Sequence, residues 1–458
     1  MDKNISKYLP QIDKLLKETE KFSLPKGTTK TLLKKALSNL SEKQRKALLD
    51  GSFTEEKDLF SKENFKKALF EELNCLASPT VKTVVNATGT LIHTNLGRAP
   101  LSPFIIDEIK PFLTEYSDLE FDLLTGKRGS REKHLFQDFF ENYNILVVNN
   151  NAAACLLVLS TLAKGKEVIV SRGELVEIGG SFRIPDIMKQ SGAILREVGT
   201  TNKTRLADYE SSISDNTGLI LKVHRSNFVM DGFVEDVSSE QLLSLSKRYG
   251  IPFFLDAGSG ALKILSHLST SEPVIENEIS LGVDIISFSG DKLLGGTQAG
   301  IIAAKPSLLK QFKDNPLYRA LRPDKFTIYY LSRLFYYLSI GDTTKSPVIK
   351  NLLTLESEIK KRAEKLFRLL KGVPKDAVKI DKDVSAPGGG ALPGVFLPTF
   401  VVKIKHPSKK EEEVRKFFLN LPKPIITRQK EAYTLIDLRT VFEEDLAYIA
   451  KSIIALFT

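Results

Sequence analysis

At 458 residues, 42% of them hydrophobic, the chain is long enough for more than one domain with its own buried core. No apolar run approaches the roughly 20 residues of a membrane helix, and the charged start MDKNISKYLPQIDK lacks the apolar centre of a signal peptide, so a cytoplasmic protein without a membrane span is expected. Two cysteines, Cys75 and Cys155, and five scattered histidines offer neither a disulfide framework nor the ligand spacing of a metal site.

The net charge of +10 is unevenly placed: residues 1–82 hold 17 Lys and Arg against 12 Asp and Glu, half of the excess. Such a segment suits a polyanionic partner, although a lysine-rich solvated surface would read the same way. From Tyr8 to about Leu76, Leu15, Leu16, Leu33, Leu37, Leu40, Leu69 and Leu73 recur at three- and four-residue spacing. Ser41 and Thr54 precede acidic residues and are expected as helix caps. The expected organisation is a basic helical domain over 1–78, a large domain over 79–330 and an α+β domain over 331–458.

Residues 84–102, VVNATGTLIHTNLGRAPLS, hold too many Asn, Thr and Gly for a simple helix or strand, and read as a loop with Arg98 as its permanent charge. In GKRGSREKH, residues 126–134, Lys127, Arg128 and Arg131 gather around Gly129, as a phosphate-holding turn or as an exposed basic one. Strand-like runs and helical stretches then alternate: ILVVNNN, EVIVSRGE, AILREVG, GLILKVHRSNF, IPFFLDAGSG and DIISFSGDKLLGGTQAGIIAA, with a helix expected near Ala152 and another over Ser239–Tyr249. This order implies an α/β domain with a mainly parallel sheet covered on both faces. Ligands of such sheets lie beyond the carboxyl ends of the strands. There the sequence places Asn149, Asn150, Asn151, Arg172, Glu174, His224, Ser226, Asn227, Asp256 and Lys292.

Lys292 follows one buried strand and precedes another, so it should lose hydration and offer a neutral amine for Schiff-base chemistry. Asp256 ends a neighbouring apolar run. A lysine for an aldehyde and an aspartate for a pyridinium nitrogen together point to pyridoxal phosphate, although each residue alone is as readily a solvated side chain or a turn. The NNNAAA turn would hold the phosphate on backbone N–H groups at a helix opening. In LYRALRPDK, Arg319 and Arg322 are three apart and are expected on one side of a helical turn, gripping an anion or merely facing water. Beyond them GVFLPTFVVKIK, PIITR and YTLIDLR read as strands, Lys409–Leu419 and Phe442–Phe457 as helices, and APGGGALPG, residues 386–394, as a flexible loop.

The runs NATGTLIHTNLGRAPLS, EFDLLTGKRGSREKH, VVNNNAAA, EVIVSRGELVEIGGSFRIPDIMKQSGAILREVGTTNKT, KVHRSNF, DAGSG, SGDKLLGGTQAGII and RALRPDK resemble, in order and spacing, bacterial selenocysteine synthase, the L-seryl-tRNA(Sec) selenium transferase family. The resemblance is close over about residues 80–345 and weaker at both ends. It implies fold type I of the pyridoxal-phosphate enzymes, aspartate aminotransferase-like, with a helical N-terminal domain that binds tRNA and a small α+β C-terminal domain. It also implies that seryl-tRNA(Sec) is converted with selenophosphate through a dehydroalanyl intermediate, and that the chain assembles as a homodecamer, a pentamer of dimers. By resemblance Lys292 carries the cofactor, Asp256 meets its ring nitrogen, Asn150, Asn151 and Ala152 hold its phosphate, and His224 and Ser289 complete its site. Arg98, Arg319 and Arg322 surround the selenium donor, and Arg131 is a further active-site arginine. Asp291, by adjacency, is a candidate to protonate the leaving hydroxyl. Two departures stand out: Thr297 replaces a proline common in relatives, and the segment after His134 is short. The rival readings are a lyase of the same superfamily acting on a small amino acid or amino sugar acid, and a tRNA-binding protein without catalysis.

Overall fold

The structure, a computed structural model, describes residues 8–136, 139–178, 182–268 and 272–458. Two stretches singled out in the sequence fall partly outside them: Gly179–Ser181 of the run around EIGGSF, and Gln137–Asp138 in the short segment after His134. The chain divides into two compact units, Met1–Thr83 and Val84–Thr458.

In the first unit, helices Ile12–Thr19, Lys30–Leu49 and Phe65–Ala77 enclose a small core of Leu15, Leu33, Leu37, Leu40, Phe65, Leu69 and Leu73. Thr29, whose hydroxyl accepts from the Leu32 N–H, caps the long helix. Ser41 lies inside that helix rather than at its start, because the buried face continues past it from Leu40 to Gln44. Thr54 precedes only a short 3₁₀ turn, Glu55–Lys57, and makes no side-chain cap.

Besides two short ribbons that pair Phe121–Asp122 with Lys127–Arg128 and Glu177–Ile178 with Phe182–Arg183, the second unit contains two main sheets. Their strands, in chain order, are β1 (Val85–Ala87), β2 (Asn144–Val148), β3 (Glu167–Ser171), β4 (Ile194–Val198), β5 (Thr217–Val223), β6 (Phe253–Gly258), β7 (Ile285–Ser289), β8 (Gly300–Ala304), β9 (Val378–Ser385), β10 (Leu397–Ile404), β11 (Ile425–Lys430) and β12 (Tyr433–Asp437). The large sheet has the order β2-β8-β7-β6-β5-β3-β4, parallel throughout except that β8 runs against both its neighbours. Alternate residues of one strand enter different cores: Ile145 and Val147 pack on one face with Phe253, Leu255 and Ile286, Leu146 and Val148 on the other with Val168, Phe254 and Ile285. Burial on both faces is why these strands read as unbroken apolar runs rather than alternating ones. The expected helix Ser239–Tyr249 forms over those residues, capped by Ser238 and Gln241 and closed by Gly250 at φ +69°.

The small sheet has the order β1-β11-β12-β10-β9, so three residues of the stretch expected as a loop, Val85–Ala87, add a strand to the C-terminal layer. Strand β9, VKIDKDVS, escaped the sequence pattern because it is an edge strand whose charged residues mask the apolar alternation. The loop 386–394, expected to be flexible, is packed: Gly388, Gly389 and Gly390 all have positive φ, and a Cβ on Gly388 would stand 2.3 Å from Thr90 Cγ2. Three consecutive glycines serve close backbone approach here, not mobility.

Candidate active site

Lys292 sits directly beyond the carboxyl end of β7, in the turn that leads through Gly295 and Gly296 to β8. It is 6% exposed, and burial pushes its pKa below the ordinary lysine value; Asp256 opposes that shift, Arg98 adds to it, and Asp291 and Glu272 oppose it. Its Nζ lies 3.4 Å from the Gly390 carbonyl oxygen of the packed glycine loop.

Asp256, on neighbouring β6, is 3% exposed. Its Oδ1 accepts from Asn151 Nδ2 (2.7 Å), from the Gly258 N–H (3.1 Å) and from Ser287 Oγ (3.4 Å), and its Oδ2 accepts from the Cys155 thiol (3.3 Å). Burial and the carboxylate push the Cys155 pKa well up, which keeps the thiol a donor. Among the described residues no lysine, arginine or histidine forms an ion pair with Asp256, so a buried carboxylate is held by neutral donors alone. That arrangement leaves it competent to receive a cationic ring N–H.

The turn after β2 is fixed by close packing. A Cβ at Gly300 would stand 2.2 Å from the Asn150 carbonyl oxygen, so only glycine lets β8 pass beneath it. Asn150 caps helix Asn151–Leu162 by accepting from the Ala153 N–H at 2.9 Å, and the backbone N–H groups of Asn151 and Ala152 remain at the open helix end. His224, just past β5, donates its backbone N–H to the Asp256 carbonyl (2.9 Å), and its ring Nε2 meets Glu272 Oε2 at 3.0 Å. Ser289 ends β7 and pairs with Gly300.

Arg98 has φ +62°, a left-handed conformation costing about 1–3 kcal/mol for a residue other than glycine. Its N–H bonds to the His93 carbonyl, and its guanidinium reaches Asp291 at 2.8 Å. Arg98, Asn149, Asp291, Thr297 and Pro323 line a cleft of about 630 Å³. The Thr297 hydroxyl in its wall is buried with no hydrogen-bond partner among the described residues.

Arg128, Arg131 and Arg322 form a second centre. Arg131 bonds to Glu120 through Nε (2.8 Å) and to the Pro323 carbonyl (2.8 Å), while Arg128 and Arg322 reach Glu120 at 2.9 and 3.3 Å. Bonding from Arg131 holds the Glu120 pKa below the usual carboxylate value. Arg319 and Arg322 do not share a helical face. The helix stops at Leu321, and Arg322, preceding Pro323, is extended and half-buried on Glu120, while Arg319 is exposed and pairs with none of the described residues. Arg172 and Glu174 go elsewhere: Arg172 pairs with exposed Glu197, and Glu174 receives Lys222 and the Val223 N–H. Sequence reasoning passed over Glu120, Glu272 and Cys155, which carry no local motif. The PGGG run was the one visible signal for the glycine loop.

The sequence model of the family described as L-seryl-tRNA selenium transferase matches residues 84–442. This chain belongs to that family. Among curated relatives it is 46% identical to the L-seryl-tRNA(Sec) selenium transferase of Aquifex aeolicus, covering 98% of both chains, and 42% identical to that of Carboxydothermus hydrogenoformans, covering 97% of this chain and 96% of the relative. Family members therefore match the basic N-terminal unit as well as the large one. Among solved structures, D-glucosaminate-6-phosphate ammonia-lyase superposes with a TM-score of 0.59 at 17% identity, over 84% of this chain and 97% of the lyase. That likeness bears out the fold expected from the sequence, fold type I, and it concerns the fold alone. No helix of the described residues is long and apolar enough to cross a membrane.

Proposed function

We propose that this chain is the enzyme that converts the seryl group of seryl-tRNA(Sec) to a selenocysteinyl group, with pyridoxal phosphate as cofactor and selenophosphate as selenium donor. Membership of the selenium transferase family supports the reaction. The observation that carries the cofactor is the juxtaposition of a buried lysine, its charge disfavoured, with a buried carboxylate that forms no ion pair among the described residues.

The residues fit the group. Lys292 would carry it, Asp256 would accept from the ring nitrogen, the N–H groups of Asn151 and Ala152 with the Asn150 cap would take its phosphate, and His224 and Ser289 would line it. When bound, pyridoxal phosphate supplies an electron sink for the seryl α-carbon. Once the seryl amine has displaced it, Lys292 Nζ would take the α-proton, a task suited to an amine held neutral by burial. Asp256 keeps the ring nitrogen protonated. Asp291, through its ion pair, would orient Arg98 toward the cleft, and it is the candidate to relay the proton taken by Lys292 to the β-hydroxyl, which departs as water. Arg98, Arg319 and Arg322 bind the donor, with Arg131 a further arginine of the site, since planar guanidinium groups hold small oxyanions through paired charge-assisted hydrogen bonds.

The basic unit formed by residues 1–78 binds the tRNA, and the protein works in the cytoplasm as a homo-oligomer, a decamer built as a pentamer of dimers. Fully exposed Tyr116 and Leu124 ahead of the 127–128 strand support burial of that edge in an assembly. Neither the small-molecule lyase nor the non-catalytic binder is favoured by relatives that match the whole chain under the transferase name.

The test is incubation of the purified protein with seryl-tRNA(Sec) and selenophosphate, followed by identification of the esterified amino acid. Selenocysteine is expected from the wild type, and Lys292→Ala should lose both this product and the visible absorbance band. Recovery of serine alone from wild-type protein would overturn the reading.

A further inference from the structure

The His224 ring, the glycine loop and Lys292 come from three separated parts of the chain, and one buried side chain touches two of them. Glu272, 5% exposed, accepts through Oε2 from His224 Nε2 (3.0 Å) and from the Leu392 backbone N–H (3.1 Å). Leu392 has φ +50° and follows Gly388, Gly389 and Gly390, so this hydrogen bond helps hold a turn that resists its own backbone preference. Two residues earlier in that turn, the Gly390 carbonyl faces Lys292 Nζ at 3.4 Å. His224 is tied on its other side to the Asp256 strand by its backbone N–H.

We propose that Glu272 is the positioning residue of the Lys292 site: its carboxylate fixes the His224 ring against the cofactor's place and seats the 386–394 loop over the lysine. This rests on the pyridoxal phosphate reading above. A carboxylate can hold both donors at once, and burying it is offset only if both bonds form, so His224 and the loop are set together rather than independently. The charged groups around Lys292 are Asp256, Arg98, Asp291 and Glu272, and the negative charge of Glu272 opposes the effect of burial on the lysine.

Three proteins separate position from charge: wild type, Glu272→Gln, whose amide oxygen can still accept both bonds, and Glu272→Ala, which can accept neither. Hydrogen exchange of the 386–394 segment, measured without cofactor, should quicken at least tenfold in Glu272→Ala and stay within about twofold of wild type in Glu272→Gln. With pyridoxal phosphate added, Glu272→Ala should lose at least tenfold in cofactor affinity and change the visible circular dichroism. Glu272→Gln should keep its affinity while the pH midpoint of its visible absorbance change moves down. Unchanged exchange in Glu272→Ala, or unchanged affinity and dichroism, would overturn the proposal even with the cofactor reading intact. A wild-type protein that takes up no pyridoxal phosphate would instead sink the reading beneath it, while the exchange data would still decide the loop.

Discussion

Around Lys292 charge is governed by burial, whereas around Glu120 it is governed by ion pairs at a half-wet surface. The first centre lies at the ends of fully buried strands and uses neutral donors, so Asp256 is oriented by an amide, a backbone N–H and a thiol rather than by a counter-charge. The second gathers Arg128, Arg131 and Arg322 about one glutamate, and like charges stay together only because that carboxylate is there. Lys292, proposed to act as a neutral amine, is placed where burial disfavours its charge. On the proposed reading, the guanidinium groups around Glu120 would exchange their shared carboxylate partner for an incoming anion.

The largest expected effect on this contrast is at Asp256. Asp256→Ala should lower kcat on the order of 10²–10³-fold, the scale of one pre-organised electrostatic contact, with an altered absorbance spectrum. A loss of only a few-fold would mean that the dry centre does not act through its carboxylate.

Next comes Glu120→Ala, which should raise the KM for selenophosphate about three- to tenfold, because exposed pairs are worth little individually, and make it more sensitive to salt. Its spectrum should match that of the wild type. A changed spectrum would show that the two centres are not separable.

The smallest effects concern pH and share one sign in two separate windows, since both groups have lowered pKa values. With its folded pKa below the unfolded lysine value of 10.5, Lys292 binds fewer protons folded than unfolded in the alkaline window beneath 10.5, so it makes stability rise with pH there. Glu120, held below its ordinary value of 4.5, contributes stability that is present above that value and lost as pH falls through the folded pKa. Denaturation of the cofactor-free protein across pH, compared with Lys292→Met and Glu120→Gln, should remove the alkaline slope in one variant and the acidic slope in the other. Slopes that survive would assign them to other groups.

Much of this was legible before any coordinates. Apolar runs such as IPFFLDAG and DIISFS are strands because burial on both faces leaves no polar alternation, and a residue that ends such a run necessarily lies on the ligand-bearing rim. That logic located Asp256, Lys292, His224 and the Asn150 turn. Where it erred, a local signal met a longer-range one. Ser41 looked like a cap but lies within a continuing helix face. Arg319 and Arg322 had helical spacing until Pro323 forced the chain to extend, and PGGG suggested a mobile loop where close packing was the reason for glycine.

The sequence by itself determined the order of strands and helices, the apolar cores and the rim on which the reactive residues stand, because these follow from periodicity within a few neighbouring positions. Only the tertiary structure decided that Glu120 gathers three arginines, that Glu272 joins His224 to Leu392, and that Gly390 meets Lys292. These contacts link distant parts of the chain, and no local pattern encodes which polar group a fold will bring opposite another.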